Sequence, residues 1–192
     1  AQLSRGLGDV YKRQQYSDIL PSETDISLSL TAKINLKAPF LSSAMDTVTE
    51  SKMAIAMAES GGIGIIHRNL NIRQQTKEIA KVKKKKLFVG AAVGTNNEDI
   101  ERAKSLIANG CDLIVIDTAH GHSKKVLKIL SKLKKIDYSI PLCVGNIATG
   151  EAAKKLYNSG ADIIKIGIGP GSICTTRMVA GIGVPQLSLI HI

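Results

Sequence analysis

Tryptophan is missing from this chain of 192 residues, and the other aromatics are scarce, with four tyrosines and two phenylalanines. The core must therefore be built from Ile, Leu, Val and Ala, which suits parallel strands buried on both faces. The same scarcity removes the rings on which the bases of a single-stranded nucleic acid would stack. Cysteine is limited to Cys111, Cys143 and Cys174, an odd number spaced about thirty residues apart, fitting neither a disulfide framework nor a chelating Cys-x-x-Cys pair. Reduced thiols are expected. No apolar run approaches the ~20 residues of a membrane span, and no apolar signal segment opens the chain, so a cytoplasmic protein is expected. Acidic residues are also few, 16 against 26 lysines and arginines, for a net charge of +10. Much of the excess lies in KVKKKK at 81–86 and among the lysines of 124–135, which recur between apolar residues as on a solvated helix face. That charge favours a nucleic-acid partner, but no aromatic residues interleave with the basic ones, and nucleic acid is not expected.

What is present, 44% hydrophobic and 22% charged residues, is the composition of one globular domain with a real core. Apolar strands are predicted at 39–43 (PFLSS), 62–67 (GIGIIH), 87–93 (LFVGAAV), 112–117 (DLIVID), 140–145 (IPLCVG) and 162–167 (DIIKIG). Apolar residues at three- and four-residue spacing predict helices at 51–60, 71–83, 97–109, 123–135 and 149–159. Asn97, Ser123 and Thr149 stand where N-caps belong, and Gly110 and Gly160 where a left-handed residue ends a helix. This alternation gives an α/β fold, either a (β/α)8 barrel two units short or a doubly wound sheet. Both bind ligands at the carboxyl ends of their strands, where the polar residues fall: 44–46, Arg68 and Asn69, 118–122, Asn146 and 167–177. Residues 1–14 and 187–192 join no unit and read as non-native junction sequence, leaving 15–186 as the domain.

The run GIGPGSICTTR at 167–177 places a thiol in a glycine-rich loop after a strand. It is not a dinucleotide fingerprint, because the glycines are spaced G-x-G-x-G and no acidic residue can follow ~20 positions on; nor is it a Walker loop, for want of GK[ST]. Exposed backbone N–H groups and the nearby Arg177 would lower a thiol's pKa and make Cys174 a nucleophile, while the glycines alone could cradle an anion. Cys143, and less clearly Cys111, read as small hydrophobes. Asp117 at a strand end could be a cap, Asn146 a turn residue and Met45 core; His67 reads as a packed or hydrogen-bonded histidine. His120 and His122 form a pair with no visible third ligand, so no metal site is expected from them.

IGPGSICTTRMVAGIGVPQ at 168–186 resembles the active-site cysteine loop of the IMP dehydrogenase / GMP reductase family. SSAMDTVTE (42–50), GGIGIIHRN (61–69), VGAAVG (89–94), IDTAHGHS (116–123) and GNIATGEAA (145–153) agree with it, so that the resemblance covers about 16–186. Thr49-Glu50 and the residues 119–122 favour the dehydrogenase branch over the NADPH-dependent reductase that converts GMP to IMP. The resemblance implies an incomplete (β/α)8 TIM barrel and NAD-dependent oxidation of IMP to XMP, in guanine nucleotide biosynthesis, through a covalent adduct on Cys174 that water then hydrolyses with Thr176 linked to the water. It implies substrate contacts from Ser43, Met45, Asn146 and Ser172, and cofactor contacts from Asp117, Thr118 and Asn146. It also implies a potassium ion on the backbone carbonyls of Gly169, Gly171 and Cys174, and a homotetrameric parent. Compared with the family pattern, the regulatory CBS repeats are absent near 86–87, and the segments that complete the barrel and its flap do not follow Gln186. On that basis this chain is expected to be an inactive fragment. A non-catalytic nucleotide- or RNA-binding protein is the alternative from another class.

Overall fold

The computed structural model describes Tyr16 and residues 18–189. The stretch 1–14 lies outside the described residues, as do 190–192 of the stretch 187–192. An antiparallel pair, β1 (Leu28–Ser29) and β2 (Asn35–Leu36), precedes a sheet of six parallel strands: β3 (Leu41–Ser42), β4 (Ile63–Ile66), β5 (Val89–Val93), β6 (Leu113–Asp117), β7 (Leu142–Ile147) and β8 (Ile163–Ile166). Helices α1 (Ser51–Glu59), α2 (Ile72–Lys83), α3 (Glu98–Ala108), α4 (Lys124–Ile136) and α5 (Gly150–Asn158) join successive strands, and a short α6 (Thr176–Ala180) follows β8. Each strand pairs with the next in sequence, from β3 through to β8. A doubly wound sheet reverses its order partway; this one does not, and it curls as an incomplete (β/α)8 barrel.

Alternation along the strands divides the core in two. Ile63 and Ile65 of β4, Leu113 and Val115 of β6 and Cys143 of β7 pack together inside the curl. Their neighbours Ile66, Ile114, Ile116, Leu142 and Val144 face outward against the helices. On α4 the buried positions Val126, Ile129, Leu130 and Leu133 form the inward stripe, each contributing about 1.5–3 kcal/mol of burial, while Lys124, Lys125, Lys128 and Lys135 stay exposed. None of the described helices is long and apolar enough to cross a membrane.

Ser123 and Thr149 cap α4 and α5, accepting from the amides of Val126 and Ala152, and Gly110 and Gly160 take φ of 84° and 97°. Asn97 does not cap α3. Asp99, two residues on, reaches back to the amides of Gly94 and Asn96, both at 2.9 Å, so its carboxylate ties down the loop ahead of the helix, and no side chain caps the first-turn amides of α3. Strand β7 runs from Leu142 rather than 140, since Pro141 has no N–H for the ladder.

The hairpin β1–β2 was not anticipated. Its Ile34 and Leu36 are buried against the inner cluster, and Lys33 Nζ donates to the Ser139 carbonyl at 3.3 Å, in the loop that leads into β7. It closes the amino-terminal end of the curl and leaves the carboxyl ends open.

Candidate active site

At the open end, register brings two charges together. Asp117 lies opposite Gly145, and Gly145 opposite Lys165. Gly145 has no side chain, so Lys165 reaches across β7 to Asp117 at 2.9 Å. A Cβ at 145 would lie 2.6 Å from the Lys165 Cβ and 2.5 Å from its carbonyl oxygen. A register shift between Gly145 and Ile147 follows, and it turns Asn146 so that its Nδ2 donates to the Gly167 carbonyl at 2.7 Å. The Thr118 hydroxyl and amide both donate to the Gly145 carbonyl, at 2.8 and 2.9 Å. The local reason for this ordering is a β-bulge beside a glycine, a combination that re-aims a side chain at a strand end.

Asp117, Thr118, Asn146, Lys165, Gly169 and Thr176 line one cleft of about 260 Å³, together with Arg68. Asp117 is not a helix cap, because Ser123 caps α4, and Asn146 belongs to β7 rather than to a turn. Lys165 was missed in the sequence. Its signal was a lone lysine on the inward phase of an aliphatic strand, DIIKIG.

The three thiols divide sharply. Burial pushes Cys111 and Cys143 up to about 12; each remains a protonated core residue. Cys174 is half-buried, and its Sγ lies 3.3 Å from Thr176 Oγ1. The Thr176 hydroxyl, then the Thr176 amide, and beyond them the Arg177 guanidinium, hold this thiol below its ordinary pKa. Thr176 therefore touches the Cys174 thiol and lines the cleft, joining the cysteine loop to Asp117 and Asn146.

Known proteins resemble the chain in the same terms. The family model described as the IMP dehydrogenase / GMP reductase domain matches residues 6–192. The chain belongs to this family. The inosine-5'-monophosphate dehydrogenases of Cryptosporidium parvum and Borreliella burgdorferi are each 43% identical to it, over 95% of the chain and 56% and 57% of their own length. That of Staphylococcus aureus strain Mu50 is 31% identical over 100% of the chain and 65% of its length. The chain thus spans between half and two thirds of the length of these relatives.

The remaining family positions are more dispersed. Ser43 lines a neighbouring interior pocket of about 230 Å³ that shares Lys165 with the cleft. Met45 is 58% exposed, so it is not core, and Ser172 is exposed; neither lines the cleft. Ser43 is fixed by Thr49, fully buried, whose hydroxyl donates to the Ser43 carbonyl at 2.6 Å. His67 is buried, as expected; its Nδ1 accepts from the Asn69 amide at 3.2 Å and its Nε2 lies 3.4 Å from Glu50. In this family reading potassium would sit on the carbonyls of Gly169, Gly171 and Cys174. The Gly171 carbonyl already accepts from the Cys174 amide at 3.1 Å and from Arg177 Nη2 at 3.0 Å. As arranged, the three carbonyls do not fit a potassium ion together unless Arg177 swings away, and no step below is routed through one.

Proposed function

We propose that this chain carries the nucleophile and the cofactor-facing wall of an IMP dehydrogenase, acting on IMP with NAD. The observation that carries the reading is the placement of Cys174, a thiol with depressed pKa whose hydrogen-bonding neighbour Thr176 lines the cleft of Asp117 and Asn146. The Cys174 thiolate adds to C2 of the IMP base, forming an S–C2 bond, and the hydrogen on C2 leaves with its electron pair. Acceptance of that hydride is the chemistry bound NAD supplies. Water then adds to C2, one of its protons passing to the purine ring nitrogen and the other to solvent, the S–C2 bond breaks, the thiolate leaves, and the water's oxygen remains on C2 as that of XMP. A cysteine suits both halves, being a strong nucleophile near neutrality and a good leaving group.

The donor set fits a dinucleotide. Asp117 spends Oδ1 on Lys165 and keeps Oδ2 to accept from ribose hydroxyls. Asn146 and Thr118 are held by backbone bonds beside it, so the wall is preorganised. Ser43, Met45 and Ser172 are assigned to IMP, with Asn146 between the two ligands. Among the described residues the outer edges of β3 and β8 pair with no further strand, which supports the further reading that this stretch alone does not turn over.

The test is IMP-dependent covalent chemistry at one thiol. IMP should slow iodoacetamide alkylation of Cys174 and, with NAD, leave a purine adduct on its tryptic peptide that Cys174→Ala abolishes. Protection by GMP with NADPH, and none by IMP, would assign the reductase instead. Alkylation indifferent to both nucleotides would sink the proposal, and XMP formation by this chain alone would sink the inactivity reading.

A further inference from the structure

Arg68 lines the cleft, and its guanidinium makes no hydrogen bond or ion pair with any described residue. The cleft holds two cations and one carboxylate, and the carboxylate, Asp117, is taken by Lys165 at 2.9 Å. The unbalanced positive charge is therefore that of Arg68.

The backbone around it is pinned on both sides. The His67 amide donates to the Thr49 carbonyl at 3.3 Å, Asn69 Nδ2 to Asp46 at 2.9 Å, and the Leu70 carbonyl accepts from the buried Arg102 at 2.8 Å. The guanidinium lies over Gly94, where a Cβ would come within 3.2 Å of Nη1. Asp99, beneath that glycine, accepts from the amides of Gly94 and Asn96, and its charge is met by the buried Arg102, whose Nε lies 3.6 Å from Asp99 Oδ1. Arg68 thus carries, on a pinned backbone, a guanidinium unpaired among the described residues and facing the cleft that holds the ribose-accepting carboxylate. A planar guanidinium so placed is suited to a phosphate oxygen.

We propose that Arg68 binds the pyrophosphate of the dinucleotide whose ribose meets Asp117, an inference that rests on the dehydrogenase reading above. A ligand with hydroxyls on one side and an anion close by matches a carboxylate and a free guanidinium in one small cleft. The other available anion is the phosphate of IMP. The dehydrogenase reading assigns Ser172 to IMP, and Ser172 does not line this cleft.

The test is calorimetric titration of ADP-ribose, and separately of IMP, into the protein and into Arg68→Gln and Arg68→Lys. Arg68→Gln should weaken ADP-ribose by about tenfold or more and flatten its salt dependence, with Arg68→Lys between. IMP affinity should stay within about twofold and the melting temperature should hold, since Arg68 is exposed. Equal ADP-ribose affinity in the protein and in Arg68→Gln overturns the inference and leaves the dehydrogenase reading standing. Weakening of IMP instead of ADP-ribose reassigns the anion and also overturns it. If the unsubstituted protein binds neither ADP-ribose nor NAD, the dehydrogenase reading falls and this inference falls with it.

Discussion

Replacing Gly145 by alanine tests whether the site depends on an empty position in the sheet. The added methyl would meet the Lys165 carbonyl oxygen at 2.5 Å and the Lys165 Cβ at 2.6 Å. Ordinary contact begins near 3.4 Å, and neither atom can rotate away, so β8 must move by about an ångström. Overpacking of this kind costs about 1–3 kcal/mol. For a domain of this size that is a fall in melting temperature of roughly 2–4 °C per kcal/mol. The displacement is directional, because among the described residues β8 has β7 on one side and no strand on the other. The Gly167 amide, which donates to the Ile147 carbonyl at 2.9 Å, should lose hydrogen-exchange protection, while the β4–β5 ladder keeps its own. The Asp117–Lys165 bond should part with it, and ADP-ribose binding should weaken. Hydrogen exchange by mass spectrometry on the peptide spanning 160–168 gives the local answer and thermal unfolding the global one. A Gly145→Ala protein with unchanged melting temperature and unchanged protection across β8 would refute the register argument from which the cleft was built.

Two further outcomes follow from the thiols. Thr176→Val removes the hydroxyl that stabilises the Cys174 thiolate, so the pH profile of alkylation at Cys174 should move to higher pH, and a profile that stays in place would contradict the assignment. Cys111 and Cys143 hold their protons to about 12 in the fold against 9.0 as the ordinary value; the stability tied to them is complete below pH 9 and drains as pH rises from 9 toward 12. Cys143→Ala should make the unfolding midpoint less steeply dependent on pH across that window, and an unaltered slope in urea titrations would count against burial as the cause.

Much of the sheet was legible because alternation is a strong signal. In DLIVID the residues divide between the inner and outer clusters as the two-residue period requires. The hairpin β1–β2 was not legible, because two-residue strands carry no period and their stability comes from packing Ile34 and Leu36 into the barrel, a tertiary effect. Helix α6 has five residues, too few to display a stripe. The cysteine loop stood out through its glycines and its family motif, whereas the cation facing Asp117 did not. Lys165 is 48 residues from its partner and looks like any solvated lysine until register sets Gly145 between them. Asn97 misled because a short amide before a helix is a reasonable cap; here its backbone is already helical, with φ of -64° and ψ of -34°, a loop geometry that composition does not encode.

The hairpin that closes the amino-terminal end also sets how the molecule can be extended. Position 86–87 lies just ahead of β5 (Val89–Val93), at the sealed end. A module spliced there would hang from the floor of the barrel, away from the cysteine loop. It could affect the chemistry only by shifting a stave about 16 Å long, so a passive cargo placed at that joint should leave the open rim undisturbed.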